Sequence, residues 1–182
     1  MRWIKYLLSA TVLLSFACDI GEVPDLGLTN PLDSETASET GIETPALVFF
    51  PDSVSVSLGL SVPTKVYAME VENLGVAHVQ FSYNSDLLTV TSITVGDFFQ
   101  GSQDPIFLVD DDADAGTIDI YTSFLGTEAT SVSGTGSLAI ITFSTKAAGK
   151  TTLIYSTDSI LLDPDSNPIE VKSFGEGVID AQ

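Results

Sequence analysis

Apolar and polar residues alternate along most of this chain, from Leu47 onward. Five stretches show the alternation most plainly, and their apolar-face members are Val54, Val56, Leu58 and Leu60; Tyr67, Met69 and Val71; Ala77, Val79, Phe81 and Tyr83; Ile118, Ile120, Thr122 and Phe124; and Ala139, Ile141, Phe143 and Thr145. Period two over such runs predicts half-buried β-strands. Turn-forming sequences such as Gly134-Thr135-Gly136 separate the runs, and no amphipathic run reaches three helical turns. The pattern predicts an all-β sandwich over residues 47–182.

One of these predicted strands carries hydrogen-bonding groups on its polar side. If Phe81 points into the core, alternation directs His78, Gln80 and Ser82 to the opposite side. Tyr121 alternates with Ile120 and is expected to be exposed in the same way. These four residues predict a partner-binding face, and ordinary solvated surface is the alternative interpretation.

The segment before the predicted domain has a different composition. Residues 18–46 contain Pro24, Pro31 and Pro45, seven acidic residues and no basic residue, without a persistent apolar period. Like charges repel one another and proline disfavours helix, so the segment predicts an extended, solvated tether. The alternative is that it packs on the domain as an extra strand.

The first seventeen residues have the features of a leader. Arg2 and Lys5 precede an apolar run from Tyr6 to Phe16, which is about half the ~20 residues needed to span a bilayer. Ala17 then precedes Cys18, the single cysteine of the chain, and this boundary resembles the lipobox of bacterial lipoproteins. The resemblance implies a signal peptide over residues 1–17, lipidation at Cys18, and an extracytoplasmic protein that contacts the membrane through its lipid anchor only. An ordinary signal peptide cut near Ala17 is the alternative.

The charge of the chain restricts its partners. All 25 acidic residues follow Cys18, whereas only the four lysines Lys65, Lys146, Lys150 and Lys172 balance them there. Such a surface repels nucleic-acid phosphates, so nucleic acid is not expected as a partner.

The candidate chemistry is sparse. His78 is the only histidine, and neither Gly-x-Ser-x-Gly nor His-Glu-x-x-His occurs, so no enzyme is predicted. The alternating spacing of a calcium loop occurs at Asp163, Asp165 and Asn167. Such a loop needs Gly where this chain has Pro168, and an acidic residue where it has Phe174. The acidic run 110–114 is a second Ca²⁺ candidate, and solvated turns are the alternative at both places. No other cofactor is expected.

Four segments together resemble the cohesin domain family. They are Gly75–Phe99, Ala115–Ile120, Gly136–Phe143 and Gly177–Ile179, in the family's order and spacing. The resemblance implies a nine-stranded sandwich of jelly-roll topology and binding of dockerin-like protein modules in assemblies that degrade polysaccharide. The fold is shared with carbohydrate-binding modules, so direct polysaccharide contact is the alternative, with Phe98, Phe99, Tyr121 and Tyr155 as possible platform residues.

The strand after Gly75 departs from the family in two outward positions. Cohesins of the best-known type carry an Asn and an Asp there, and an ungapped match from Tyr83 places Val76 and His78 at these positions. The resemblance therefore implies a partner-binding face whose hydrogen-bonding groups differ from those of that type.

Overall fold

A computed structural model describes residues 34–99, 105–124 and 130–182 of the chain. The described part contains one short helix and thirteen strands. The elements are α1 (Ser34–Glu39), β1 (Ala46–Phe50), β2 (Ser53–Val56), β3 (Ser61–Leu74), β4 (Val76–Ser82), β5 (Leu88–Val95), β6 (Ile106–Asp112), β7 (Thr117–Ser123), β8 (Val132–Thr145), β9 (Gly149–Tyr155), β10 (Ile160–Leu162), β11 (Pro168–Ile169), β12 (Ser173–Phe174) and β13 (Gly177–Ala181).

The strands form two sheets. The first has five strands in the order β12-β1-β3-β8-β5, and the second has eight strands. In the second sheet the order β11-β10-β4-β9-β13-β2 forms the main path, β7 pairs with β4, and β6 pairs with β7. The sequence prediction of an all-β sandwich is confirmed. Nine strands have five or more residues, and the other four are short pairing segments, β2, β10, β11 and β12.

The inward rows of the two sheets form one hydrophobic core. Phe49 of β1 stacks on Tyr155 of β9 with ring centroids 4.2 Å apart, and it meets Phe81 of β4 edge-on at 5.2 Å. The Tyr155 hydroxyl donates a hydrogen bond of 2.9 Å to the main-chain carbonyl of Val48. Aromatic side chains of this size contribute strongly to a core because each buries a large area. These contacts join the sheet that carries the predicted partner-binding face to the opposite sheet.

Two predicted rows are wrong in part. The row of Val54, Val56, Leu58 and Leu60 ends at Val56, because Leu58 and Leu60 lie in the turn region after β2 and are 49% and 56% exposed.

The second row changes side within β3. Tyr67, Met69 and Val71 were expected on one face of a strand, but Val71 belongs to the main core while Tyr67 and Met69 pack in a second cluster. The pairing of β3 with β8 shifts between Ala68 and Val71, and Glu70 has a φ of 48°. An irregularity of this kind reverses the side to which later residues point.

The prediction of an extended, solvated tether is wrong for residues 34–46. In this segment Ala37 of α1 is fully buried, and Ala37 and Ile42 pack with Ala46 and Met69 in the second cluster, which also contains Val48 and Tyr67. Ala46 itself begins β1, one residue before the expected start of the domain. The physical reason is that Tyr67 and Met69 leave apolar surface on the far side of β3, and covering that surface stabilises the segment. Residues 18–33 of the predicted tether lie outside the described residues.

Candidate partner-binding face

The four residues predicted to bind a partner lie on one side of the second sheet. His78, Gln80 and Ser82 occupy alternate positions of β4, where the intervening Ala77, Val79 and Phe81 are buried. On the neighbouring strand β7, Tyr121 lies directly opposite His78. Because directly paired residues of an antiparallel ladder share a face, all four side chains point away from the core. We call this surface the outer face.

His78 and Tyr121 contact each other closely. Their rings are stacked with centroids 4.4 Å apart and an interplanar angle of 1°. The His78 Nε2 atom lies 2.7 Å from Asp119 Oδ1, and the two side chains are 24% and 20% exposed. The imidazole therefore contacts the phenol ring on its face and the carboxylate through its edge, which fixes its orientation.

Asp119 is one of the residues of the outer face that the sequence analysis did not predict. It lies opposite Gln80, whose side-chain amide nitrogen donates to Asp119 Oδ1 and Oδ2, each at 3.0 Å. Together with His78, this amide holds the carboxylate from two sides. Its outward position between Ile118 and Ile120 was visible in the alternation, but its place beside His78 depends on the register of β4 against β7.

Exposed apolar side chains extend the outer face across four strands. The pairing register places Ile160 of β10 opposite His78, and Leu108 of β6 opposite Tyr121. Ile160 is 48% exposed, Tyr121 43% and Leu108 62%. We call the line Ile160–His78–Tyr121–Leu108 the apolar row. Ile160 and Leu108 were not predicted, because neither lies in a run of clear alternation.

An acidic line runs beside the apolar row. Asp110 of β6 lies directly opposite Asp119, and Asp112 lies opposite Thr117. The Asp112 carboxylate accepts hydrogen bonds from the main-chain nitrogens of Asp114 and Ala115 in the following turn. Within residues 34–99, 105–124 and 130–182, the contact of His78 with Asp119 is the one approach of a His or Lys nitrogen to a carboxylate within 4.0 Å.

The sequence was compared with models of protein families. The model described as "Cohesin domain" matches residues 48–179. The chain belongs to the cohesin family. A search of curated proteins finds no match.

Solved cohesin structures have the same fold. A non-cellulosomal cohesin from the archaeon Archaeoglobus fulgidus is 18% identical with a TM-score of 0.60, covering 75% of this chain and 90% of that one. A type II cohesin domain from the cellulosome of Acetivibrio cellulolyticus is 15% identical with a TM-score of 0.63, covering 74% and 92%. A Clostridium thermocellum cohesin solved in complex with a dockerin is 16% identical with a TM-score of 0.62, covering 75% and 98%.

The aromatic residues considered for sugar binding are distributed unevenly over this cohesin domain. Phe99 is buried against Phe124, with ring centroids 4.6 Å apart, and Tyr155 is a core residue. Phe98 is partly buried and packs against Phe99, at 6.1 Å between centroids. Tyr121 is the exposed member of the four, and the His78 ring covers one of its faces. The outer face therefore presents one half-covered aromatic ring instead of a broad stacking platform.

In the predicted calcium loop, the Asp163 carboxylate accepts its hydrogen bonds from residues of the loop itself. Asp163 accepts hydrogen bonds from the main-chain nitrogens of Asp165 and Asn167 and from the Asn167 side-chain amide, at 2.8–2.9 Å. These bonds lower the pKa of Asp163 below its ordinary value, with the Asn167 side chain as the largest cause. In the described part of the cohesin chain, no group of three or more His, Cys, Asp or Glu side chains is placed to hold a metal ion. The calcium prediction gains no support from this arrangement.

The predicted signal peptide and the lipidation residue Cys18 lie outside the described residues. Among the residues that the structure describes, no helix is long and apolar enough to cross a membrane.

Proposed function

We propose that this cohesin domain is a non-catalytic protein-binding module that engages its partner through the outer face. The observation that carries the proposal is the apolar row, in which three large side chains, each at least 43% exposed, lie beside hydrogen-bonding groups. Contiguous exposed apolar surface with a polar margin is typical of protein interaction sites. A sheet held by a large core also presents such a surface with little rearrangement, which favours binding.

The partner we propose is a dockerin-like module, in a cell-surface or polysaccharide-degrading assembly. Support comes from membership of the cohesin family and from related cohesins solved in complex with dockerins. Val76 and His78 replace the Asn and Asp that the family resemblance led us to expect. Asp119 offers a carboxylate beside His78 from the neighbouring strand, so this region of the face keeps an acceptor.

We further propose that the module works outside the cytoplasm, held to a cell-envelope membrane by lipid on Cys18. Support comes from the leader-like residues 1–17 and from the position of the only cysteine directly after them. Replacing Cys18→Ser should move the protein from the membrane fraction to the soluble fraction of the expressing cells. Unchanged membrane association of that variant would contradict the anchor.

Binding of purified dockerin modules to the full-length chain tests the partner proposal. A panel of dockerins is measured by surface plasmon resonance, and Tyr121→Ala combined with Leu108→Ala should weaken the best binder about tenfold or more, because both side chains lie in the centre of the proposed contact. The matched control is Leu58→Ala with Leu60→Ala, which removes two leucines of 49% and 56% exposure from a different part of the surface. Equal losses in both double variants would show that the outer face is not the contact.

Direct polysaccharide binding is the second candidate, and the exposed ring of Tyr121 is the observation in its favour. It predicts that the protein is retained on insoluble polysaccharide and that Tyr121→Ala abolishes retention. Retention together with failure of every dockerin would favour this candidate over the protein-binding one.

A further inference from the structure

We propose that residues 34–45 form a reversible strap, which closes on the first sheet and opens while the sandwich stays folded. When the strap is closed, the preceding chain leaves the domain on the side opposite the outer face. When it is open, the tether is longer by the length of the strap. The opening is a property of the chain itself, and its consequence for a membrane-held protein rests on the lipid anchor proposed above.

The strap covers an apolar patch on the side of the first sheet that faces away from the main core. Ala46 and Val48 of β1 lie directly opposite Met69 and Tyr67 of β3, and the four side chains belong to the second cluster. We call these four residues the back patch. The outer face lies on the far side of the second sheet, so the strap and the outer face occupy opposite sides of the sandwich.

The contact between the strap and the back patch is small. Among residues 37–45, Ala37 is the one buried side chain, and Ile42 is partly buried. The helix α1 has six residues, whereas an isolated helix needs about 12–15 residues to be even marginally stable. We therefore expect α1 to form when it docks and to melt when it leaves the sheet.

The strap also leaves space beneath it. A cavity of about 120 Å³ separates Thr40 and Ile42 of the strap from Val48, Phe49 and Gly175 of the sandwich. Atoms that line a void lose the contacts that close packing would give them. Incomplete packing of this kind lowers the cost of opening the strap, compared with a segment that fills its site.

The hydrogen bonds of the strap indicate where opening begins and ends. At the end of α1, Gly41 has a φ of 79°, and the main-chain nitrogens of Gly41 and Ile42 donate to the carbonyls of Ser38 and Ala37 at 3.1 and 2.8 Å. These bonds stay within the strap and close the helix.

Two bonds join the strap to the sandwich at its end next to β1. The Glu43 nitrogen donates to Ser173 Oγ, and the Lys172 nitrogen donates to the Pro45 carbonyl, each at 2.8 Å. Opening can therefore start at α1, where the buried contact is a single Ala37 methyl group, and stop before β1.

Opening changes the reach of the tether. With the strap closed, residues 18–33 join Cys18 to the domain, and with the strap open, residues 18–45 do so. At full extension these lengths correspond to about 55 Å and about 95 Å. The sandwich would thus gain distance from an anchor at Cys18 without any change in its own structure.

Amide hydrogen exchange of the full-length chain, followed by NMR, tests whether the strap opens independently. The amides of Gly41 and Ile42 report on the strap, and those of Tyr83 and Gly96, which donate to the carbonyls of Gly116 and Leu138, report on the sandwich. Segments that open locally exchange faster than the core. We expect the strap amides to exchange at least a hundredfold faster than the sandwich amides, and at least tenfold slower than the same residues in an unstructured peptide.

Three variants separate local opening from global unfolding. Ile118→Val weakens the core on β7 and should speed exchange of the sandwich amides about fivefold, with no effect on the strap amides. Ala37→Glu should bring the strap amides to the rate of an unstructured peptide. Ser38→Glu adds the same charge at the next residue, which is exposed, and should leave the strap amides protected.

Two results of the exchange experiment would overturn the inference. Strap and sandwich amides that exchange equally fast and respond equally to Ile118→Val would show that the strap opens only with the whole domain. Wild-type strap amides without protection would show that the strap is not docked.

The length of the tether is measured separately by electron–electron distance spectroscopy on the unlipidated full-length chain. Cys18 is the single cysteine, so Lys172→Cys, at an exposed position beside the strap's attachment to β1, supplies the second spin-label site. The r.m.s. end-to-end distance of a flexible chain grows as the square root of its length, so Ala37→Glu should increase the r.m.s. separation about 1.3-fold. Ser38→Glu should leave it unchanged.

An unchanged separation in Ala37→Glu would overturn the inference that opening lengthens the tether. Neither measurement involves a partner or a membrane, so failure of the strap leaves the proposed outer face and lipid anchor untouched. Failure of the anchor is recognised separately, from the membrane association of Cys18→Ser.

Discussion

The hydroxyl of Tyr155 is the polar group whose removal gives the most informative change in stability. Tyr155 is buried on β9, its hydroxyl donates to the Val48 carbonyl at 2.9 Å, and its ring stacks on Phe49 at 4.2 Å. Tyr155→Phe keeps the ring and deletes only the hydroxyl. The change therefore isolates one hydrogen bond between the two sheets.

We expect Tyr155→Phe to lower the free energy of unfolding by about 1–2 kcal/mol at pH 7. A typical intramolecular hydrogen bond contributes about 1 kcal/mol net, and an acceptor left unsatisfied in the interior adds a desolvation cost of about 1–3 kcal/mol. The value lies toward the lower end because the Val48 carbonyl belongs to a strand ladder, where the main chain offers other donors.

The same variant should change how stability depends on alkaline pH. Burial raises the pKa of Tyr155 well above its ordinary value of 10.0, so the folded chain keeps the phenol neutral while the unfolded chain ionises it. The contribution of the neutral Tyr155 phenol to the free energy of unfolding is fully present below pH 10. It is lost as the pH rises from 10 toward the pKa of Tyr155 in the folded chain. The loss approaches about 1.4 kcal/mol for each pH unit above 10. Wild type has this dependence and Tyr155→Phe lacks it.

Urea unfolding followed by circular dichroism at pH 7 and at pH 11 measures both effects. The stability difference between wild type and Tyr155→Phe should shrink by about 1.4 kcal/mol at pH 11. Tyr83 leaves this comparison unchanged, because burial and the nearby Asp111 raise its pKa to about 12 in both proteins. Tyr121→Phe is the control, since its hydroxyl is on an exposed ring, and it should leave stability unchanged at both pH values. A difference that stays constant from pH 7 to pH 11 would refute the argument that the buried phenol resists ionisation.

Three further predictions concern other parts of the sandwich. Ser137→Ala should lower the free energy of unfolding by about 1 kcal/mol above pH 4 and by less at lower pH. The Ser137 hydroxyl is the largest cause that lowers the pKa of Asp97 below 3.8, and a lowered carboxyl pKa stabilises the fold above pH 4 and stops doing so as the pH falls and the carboxyl is protonated. An equal loss at pH 2 and pH 7 in urea unfolding would contradict this. Gly96→Ala should lower the free energy of unfolding by about 3 kcal/mol or more, because a Cβ at this position overlaps the Ser137 carbonyl oxygen. Thermal unfolding measures the loss, and Thr94→Ala at an exposed position is the control. Ala37→Glu, which places a charge at a fully buried position, should expose Glu39 and Glu43 to a Glu-specific protease, whereas equally slow cleavage of wild type and variant would show that α1 is not held by this contact.

The architecture could be predicted because inward and outward residues alternate along each strand. The rows of β4, β7 and the latter half of β8 have buried residues at the positions that the alternation indicated, including Phe81, Ile118 and Phe143. Alternation is a local property, since successive Cβ atoms of a strand point to opposite sides. It therefore survives in the sequence without knowledge of which strands are neighbours.

The same pattern fails where the backbone departs from regular pleating or where a segment packs from outside. At Glu70 the register of β3 changes and reverses the rest of the predicted row. In α1, a single small apolar residue, Ala37, makes the buried contact, and one residue leaves no periodic signal. The acidic, proline-containing composition of the segment indicated solvation. Ala37 is nevertheless buried, because it packs against Tyr67 and Met69, which follow it by about thirty positions in the sequence.

The composition of the outer face could not be read from any single strand, because it is produced by pairing. The sequence indicated that His78, Gln80 and Tyr121 point outward, but the ladder register decides that Asp119 meets His78, that Leu108 meets Tyr121 and that Asp110 meets Asp119. A comparison along the β4 strand alone records the absence of an acid at position 78. The structure has a carboxylate at 2.7 Å from that side chain, supplied by β7. The hydrogen-bonding chemistry of a sheet surface therefore belongs to pairs of residues on neighbouring strands, as His78 and Asp119 show on the outer face.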